Sequence, residues 1–158
     1  MALEHVFAGP VTVLWDTIEL GYSRDGVQIR IDPRWIEIPS DDYGGASGPP
    51  SDAQLIGATA SVTCDLTKYD ATEVHKLTAF SRAGGPGILP AFGSLMRQES
   101  YLAVLKLDGV KEDWTFSNAI VKQAFEINKG TRFSSVMLGF ECWVDSPSSR
   151  VLFQVGIE

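Results

Sequence analysis

The sequence predicts a mainly β protein, with a β-sandwich or barrel-like core of antiparallel strands and one flanking short α-helix. Three observations carry this prediction. Most segments alternate apolar and polar residues with a period of two. Turn-forming Asp-Gly and Asn-Lys-Gly sequences separate several of them. Only one stretch combines a helical start signal with a helical apolar stripe. The 158 residues read as a single domain, 1–158, with long loops near 39–56 and 82–98. A chain of this length buries roughly 70% of the surface it exposes when unfolded, enough for a core without a disulfide or metal.

The clearest strand is ATASVTCDL at 58–66. Ala58, Ala60, Val62, Cys64 and Leu66 share one face, while Thr59, Ser61, Thr63 and Asp65 take the wet one. The stretch 136–145 repeats the pattern, with Val136, Leu138, Phe140, Cys142 and Val144 inward. Both cysteines therefore fall on apolar faces and are expected in the core, since reactive thiols need exposure and positive surroundings. Further strands are expected at 11–20, 26–38, 99–107, 114–127 and 150–157. Within 26–38 the inward phase changes from Val27, Ile29 and Ile31 to Ile36 and Ile38 across Asp32-Pro33. Proline cannot donate to a ladder, so a bulge or an edge position is expected there.

Two hairpins follow from the turns. Asp108-Gly109 in KLDGVKED joins 99–107 to 114–127, and NKGT at 128–131 joins 114–127 to 132–145. The helix begins at Asp70, with Glu73 three residues on as in a capping box. Ala71, Val74 and Leu77 form its narrow apolar stripe, and the glycines at 84–87 end it.

Composition narrows the function. Twenty acidic and 13 basic residues give a net charge of −7, and no basic cluster is present to release counterions from nucleic acid. The first residues lack the basic start and continuous apolar run of a signal peptide, and no run approaches a membrane span. Two cysteines are too few for a secreted disulfide scaffold, so the chain reads as cytosolic in origin. The two histidines, His5 and His75, form no catalytic or metal motif, and no C-x-x-C, H-E-x-x-H or G-x-S-x-G occurs. No enzyme activity, cofactor or metal is expected.

Two loops remain as candidate sites. GPGILP at 85–90 follows a helix and falls one residue short of a dinucleotide fingerprint, so it reads as a connection. Its Ile88 and Leu89, with Phe92, either cover an edge of the core or dock on a partner. The segment PSDDYGGASGPPSD at 39–52 carries adjacent carboxylates, Asp41 and Asp42, beside Tyr43. It lacks the alternating oxygen ligands of a calcium loop. The tryptophans at 15, 35, 114 and 143 lie inside strand patterns and are expected in core or interface packing.

The order of these features resembles that of phage tail tube (major tail) proteins. A strand, the Leu20-Gly21 step, a second strand and the acidic segment Ser40-Asp41-Asp42-Tyr43-Gly44 follow that pattern. Gly57, Val62 and Leu66 then match a Gly-x-x-x-x-Val-x-x-x-Leu strand leading into a short helix. Phe125–Gly130 with Ser135–Val144 looks like the last hairpin of that fold. The resemblance implies a structural virion protein that self-assembles into stacked hexameric rings, the tail tube through which the genome passes. It implies that copies of the chain and other tail proteins are the partners, that viral DNA passes without specific binding, and that no membrane is involved. The implied location is the virion tail, after synthesis in the host bacterial cytoplasm. Asp41, Asp42, Tyr43, Ile88, Leu89 and Phe92 become candidate assembly contacts, and the Gly and Pro residues of 39–52 a loop free to order on assembly. Alternatives are another virion component of related fold (a tail terminator, a decoration protein or an injection-system tube protein) or a cytosolic β-sandwich binding module.

Overall fold

A computed structural model describes residues 10–70, 74, 91–98, 101–110, 112–122, 126–128 and 135–157. Among the described residues there are ten strands: β1 (Val11–Trp15), β2 (Ile18–Ser23), β3 (Val27–Ile38), β4 (Asp52–Leu66), β5 (Lys68–Tyr69), β6 (Ala103–Asp108), β7 (Glu112–Val121), β8 (Glu126–Asn128), β9 (Ser135–Trp143) and β10 (Phe153–Ile157). Every pairing is antiparallel, and the main path runs β3-β4-β9-β7-β6-β1-β2-β5, with β10 on β7 and β8 on β9.

The path returns to β4 through the chain itself. Only Thr67 separates β4 from β5, and β5 pairs with β2, so the sheet closes on itself as a barrel-like core. Backbone bonds from the Thr67 N–H to the Tyr22 carbonyl (3.1 Å) and from Asp70 to Leu20 (2.9 Å) continue the seam. Closure pairs strands that would otherwise leave edges facing water, while among the described residues β3, β8 and β10 keep an open side.

Bulges make the corners. Val13 pairs with Gly21 but Leu14 with Glu19, which leaves Leu20 as an extra residue on β2, turned fully into the core. On β7 the pairs Ala103–Ala119 and Leu105–Phe116 put the extra residue at Ser117–Asn118. At that point one edge of β7 changes partner, from β10 (residues 112–116) to β9 (residues 118–121). A strand that changes sheets at a bulge is how two packed sheets share a corner.

The expected faces are the observed ones for the central strands, except that Ala58 and Val144 are only half-buried. Ala60, Val62, Cys64 and Leu66 of β4 and Val136, Leu138, Phe140 and Cys142 of β9 are buried, with Phe116, Leu105, Val13 and Trp15 opposite them. Burial pushes the thiols of Cys64 and Cys142 up to about 12. Each cysteine is a small core residue, as its strand position predicts. Trp15 reaches across the interior to donate its indole N–H to the Ala119 carbonyl at 3.2 Å.

Other expectations need correction. The single strand expected at 11–20 is two, joined by the two-residue turn Asp16-Thr17 around the Trp15–Ile18 pair. Both turn residues have positive φ, 54° and 66°, a geometry normally signalled by Asn-Gly or Asp-Gly. The strand expected at 114–127 ends at Val121 and resumes as β8. Residues 123–125 lie outside the described residues, and β9 pairs with Val121 through Phe140 and with Glu126 through Met137. The β6–β7 hairpin turns where Asp108-Gly109 predicts, with Gly109 donating to the Glu112 carbonyl at 3.0 Å. The β8–β9 pairing is the second expected hairpin. Of the expected helix, Val74 is helical and fully buried, and its N–H donates to the Asp70 carbonyl at 3.0 Å. The rest of it, His75 included, lies outside the described residues.

Candidate assembly surface

The longest strands do more than line the core. β4 pairs with β9 only from Ala60 to Leu66, so Asp52–Thr59 pair with β3 alone. These residues and Asp32–Ile38 form a two-stranded arm that leaves the barrel. An isolated ribbon of this kind is marginal in water and gains stability when a face is covered.

The arm is apolar on both faces. On one, Trp35 pairs with Leu55, and each is 55% exposed. On the other lie Ile36 and Ile38, also exposed. The ladder skips Ile56 between the Arg34–Gly57 and Trp35–Leu55 pairs, so the bulge that Pro33 suggested is carried by the partner strand. Pro33 itself sits on a terminal strand of the sheet path, the edge position expected for it. The expected inward turn of Ile36 and Ile38 is not observed. Beyond the barrel there is no interior, and the change of apolar phase marks a strand with two uncovered faces. Together with Ile31 and Tyr43, these residues concentrate exposed apolar side chains on one ribbon, and grouped exposure of this kind marks an interaction surface.

Asp41, Asp42 and Tyr43 stand at the arm's tip. They form a 3-10 turn, followed by a second at Gly45–Ser47. The Ser40 carbonyl accepts from the N–H groups of Tyr43 (3.1 Å) and Gly45 (3.0 Å), and Ser51 donates to the Ile38 carbonyl through both its N–H and its Oγ, each at 2.9 Å. Gly44, at φ 98°, links the two turns, and a Cβ on Gly48 would lie 1.6 Å from the Tyr43 carbonyl oxygen. The glycines thus shape a defined tip, whereas the sequence read them as a loop that orders on assembly. Tyr43 is 56% exposed. Among the described residues, no three His, Cys, Asp or Glu side chains gather as a metal site.

Phe92 is 97% exposed and covers no core edge. Ile88 and Leu89 lie outside the described residues. The loop after Phe92 is tied to the end of β9 by Arg97, whose guanidinium donates to the carbonyls of Val144 and Asp145 at 2.8 Å each. Arg97 and Lys122 each stand 5.9 Å from the Trp143 ring. The Trp143 indole N–H donates to Glu141 at 2.8 Å, and Lys122 pairs with the same carboxylate at 3.3 Å. The indole hydrogen bond first, then Lys122, holds Glu141 below its ordinary carboxylate range. Sequence reasoning did not find this cluster, because its members come from separate segments. Among the described residues, no helix is long and apolar enough to cross a membrane.

No family model matches the sequence, and no curated protein matches it. Solved structures do. A chain in the virion of a native gene transfer agent particle matches with a TM-score of 0.50 and 8% identity, over 94% of this chain and 95% of that one. A chain in the tail of an empty gene transfer agent particle, of C6 symmetry, matches with a TM-score of 0.44 and 7% identity over 87% and 86%. Hcp1 from Flavobacterium johnsoniae matches with a TM-score of 0.38 and 9% identity over 94% and 95%. The last two superpose too loosely to argue from. The mainly β architecture expected from the tail tube resemblance is shared with a chain of a solved virion.

Proposed function

We propose that this chain is the tube subunit of a phage-type tail, a structural protein whose copies join into hexameric rings that stack into the conduit for the genome. The observation that carries this reading is the arm: two strands, apolar on both faces, held out from a closed barrel by their own ladder. Such a surface is a liability on a monomer and an interface in an assembly.

Side-by-side joining has separate support. In the run β3-β4-β9-β8, strands β3 and β8 stand at opposite ends. Pairing β3 of one copy with β8 of the next extends the sheet head to tail, and such contacts close into a ring when the rotation permits. Asp41, Asp42 and Tyr43 lead the arm into its partner. Phe92, with Ile88 and Leu89, makes a second contact. In this reading residues 1–158 act as one domain, and other tail proteins meet the ends of the tube. Viral DNA passes without specific binding, because a net charge of −7 repels phosphate. The protein then resides in the virion tail after synthesis in the bacterial cytoplasm, with no membrane partner. The fold shared with a virion chain accords with this role.

Negative-stain microscopy of the purified chain tests the reading. Rings or tubes are expected, and a strict monomer over a wide concentration range would overturn it.

A further inference from the structure

A cleft of about 430 Å³ opens at the start of β3, lined on its apolar side by Val11, Val27, Ile29, Leu107, Val110 and Trp114. Its volume falls in the range of roughly 300–1,000 Å³ typical of sites that enclose a small ligand. Val27 and Ile38 are the two ends of one continuous strand, and Ile38 leads into the arm's tip. At about 3.4 Å per residue, its eleven steps set the cleft and the tip roughly 37 Å apart.

A projection whose tip carries an exposed tyrosine beside two carboxylates, and a recess of mixed lining with apolar walls and charged residues at the far end of the strand, make a heterologous pair. Copies that use such a pair join head to tail and do not stop at two. The arm cannot fill the cleft of its own chain, because the β3 ladder keeps them at opposite ends. We propose that the occupant of the cleft is a second copy of this chain, with Tyr43 at the arm's tip as the side chain that enters. Tyr43 suits a recess of such mixed lining, having a flat apolar body and a hydroxyl that can meet its polar residues. The rim carries Arg24, Asp25 and Glu112. Glu112 is already engaged by the Trp114 indole N–H at 2.6 Å. Arg24 is the cation available to Asp41 or Asp42 as the tip approaches. The inference rests on the tube reading and adds to it the receiving surface and an axial direction.

Cross-linking in the assembled full-length chain tests it. Cys64 and Cys142 are buried, so introduced thiols react selectively. The double variant Tyr43→Cys/Val110→Cys, treated with a short bis-maleimide, is expected to give a ladder of covalent dimers, trimers and longer species. The pair Asp42→Cys/Val110→Cys, which keeps Tyr43, is expected to give the same ladder. Cross-linking by Tyr43→Cys alone would place tip against tip and overturn the proposal. Tubes visible by microscopy in both double variants without a ladder would also overturn it and leave the tube reading standing. A chain without rings, tubes or cross-links would overturn both. As a second measurement, Val110→Glu at this half-exposed position is expected to keep the thermal transition and lose the tubes; tubes unchanged in length and number would count against the cleft.

Discussion

Gly21 pairs with Tyr69 at the seam where the barrel closes, and a Cβ on Gly21 would lie 2.8 Å from the Tyr69 Cα and 2.3 Å from the Lys68 carbonyl oxygen. Those contacts are backbone and cannot rotate away. Leu20 beside it is the bulged residue that fills the core, so the Leu-Gly step does two jobs at one point: one residue plugs the interior and the next lets β5 approach. Gly21→Ala is therefore expected to destabilise the fold by about 1–3 kcal/mol, as overpacking of a close contact does. Urea denaturation measures this, and an unchanged midpoint would mean that the seam is not under that constraint.

The turn between β1 and β2 stores strain. Thr17 is β-branched and held at φ 66°, where its Cβ crowds the backbone. Thr17→Gly removes that conflict at the cost of a more flexible unfolded chain, with an expected net gain of about 0.5–1 kcal/mol. Thermal denaturation of the variant should show a higher midpoint. A lower one would assign Thr17 a stabilising contact that outweighs its backbone.

The connection from β9 to β10 is organised by one carboxylate. Asp145 accepts from the Ser149 hydroxyl, from the Ser146 N–H at 2.6 Å and from the Val151 N–H at 2.9 Å. These bonds, Ser149 first, hold its pKa below the ordinary value of 3.8. A carboxylate with a depressed folded-state value stabilises the fold above its unfolded value and loses that contribution as pH falls through the folded one. Asp145→Asn should therefore be less stable than the parent at neutral pH, and the two should converge in acid, below 3.8. Denaturation curves at several pH values check this; a difference that persists undiminished in acid would assign the effect to shape rather than charge.

How legible this was depends on what each strand faces. In 58–66 and 136–145 one side meets the interior and the other meets water, so alternation alone names the buried residues. The arm defeats that logic. Trp35, Ile36 and Ile38 read as core or interface residues by type, and Leu55 falls in the loop expected near 39–56 but lies in β4. No interior lies beside any of them, and apolar residues on both faces erase the period. Asp16-Thr17 was hidden for a different reason, because a turn without glycine leaves alternation intact on either side. The tip residues Asp41, Asp42 and Tyr43 stood out through the glycines and prolines around them. The apolar residues that make the arm a surface did not.

The arm yields the last prediction. Trp35 and Leu55 face each other on a ribbon that adds little to the barrel's core, so replacing them should cost the monomer little. The double variant Trp35→Lys/Leu55→Glu keeps a complementary cross-strand pair and removes the apolar surface. Its thermal transition should change little, since exposed substitutions away from caps and strained positions typically stay within about 0.5 kcal/mol. Its assembly should fail, leaving monomers by sedimentation at concentrations where the parent forms rings or tubes. Asp41→Ala/Asp42→Ala should act more mildly, impairing stacking while the monomer stays folded. Its charges sit at the tip, where solvent screens them, whereas the Trp35–Leu55 pair offers desolvated contact. If the Asp variant abolishes assembly and the arm variant leaves it intact, electrostatics at the tip rather than burial along the arm holds the copies together.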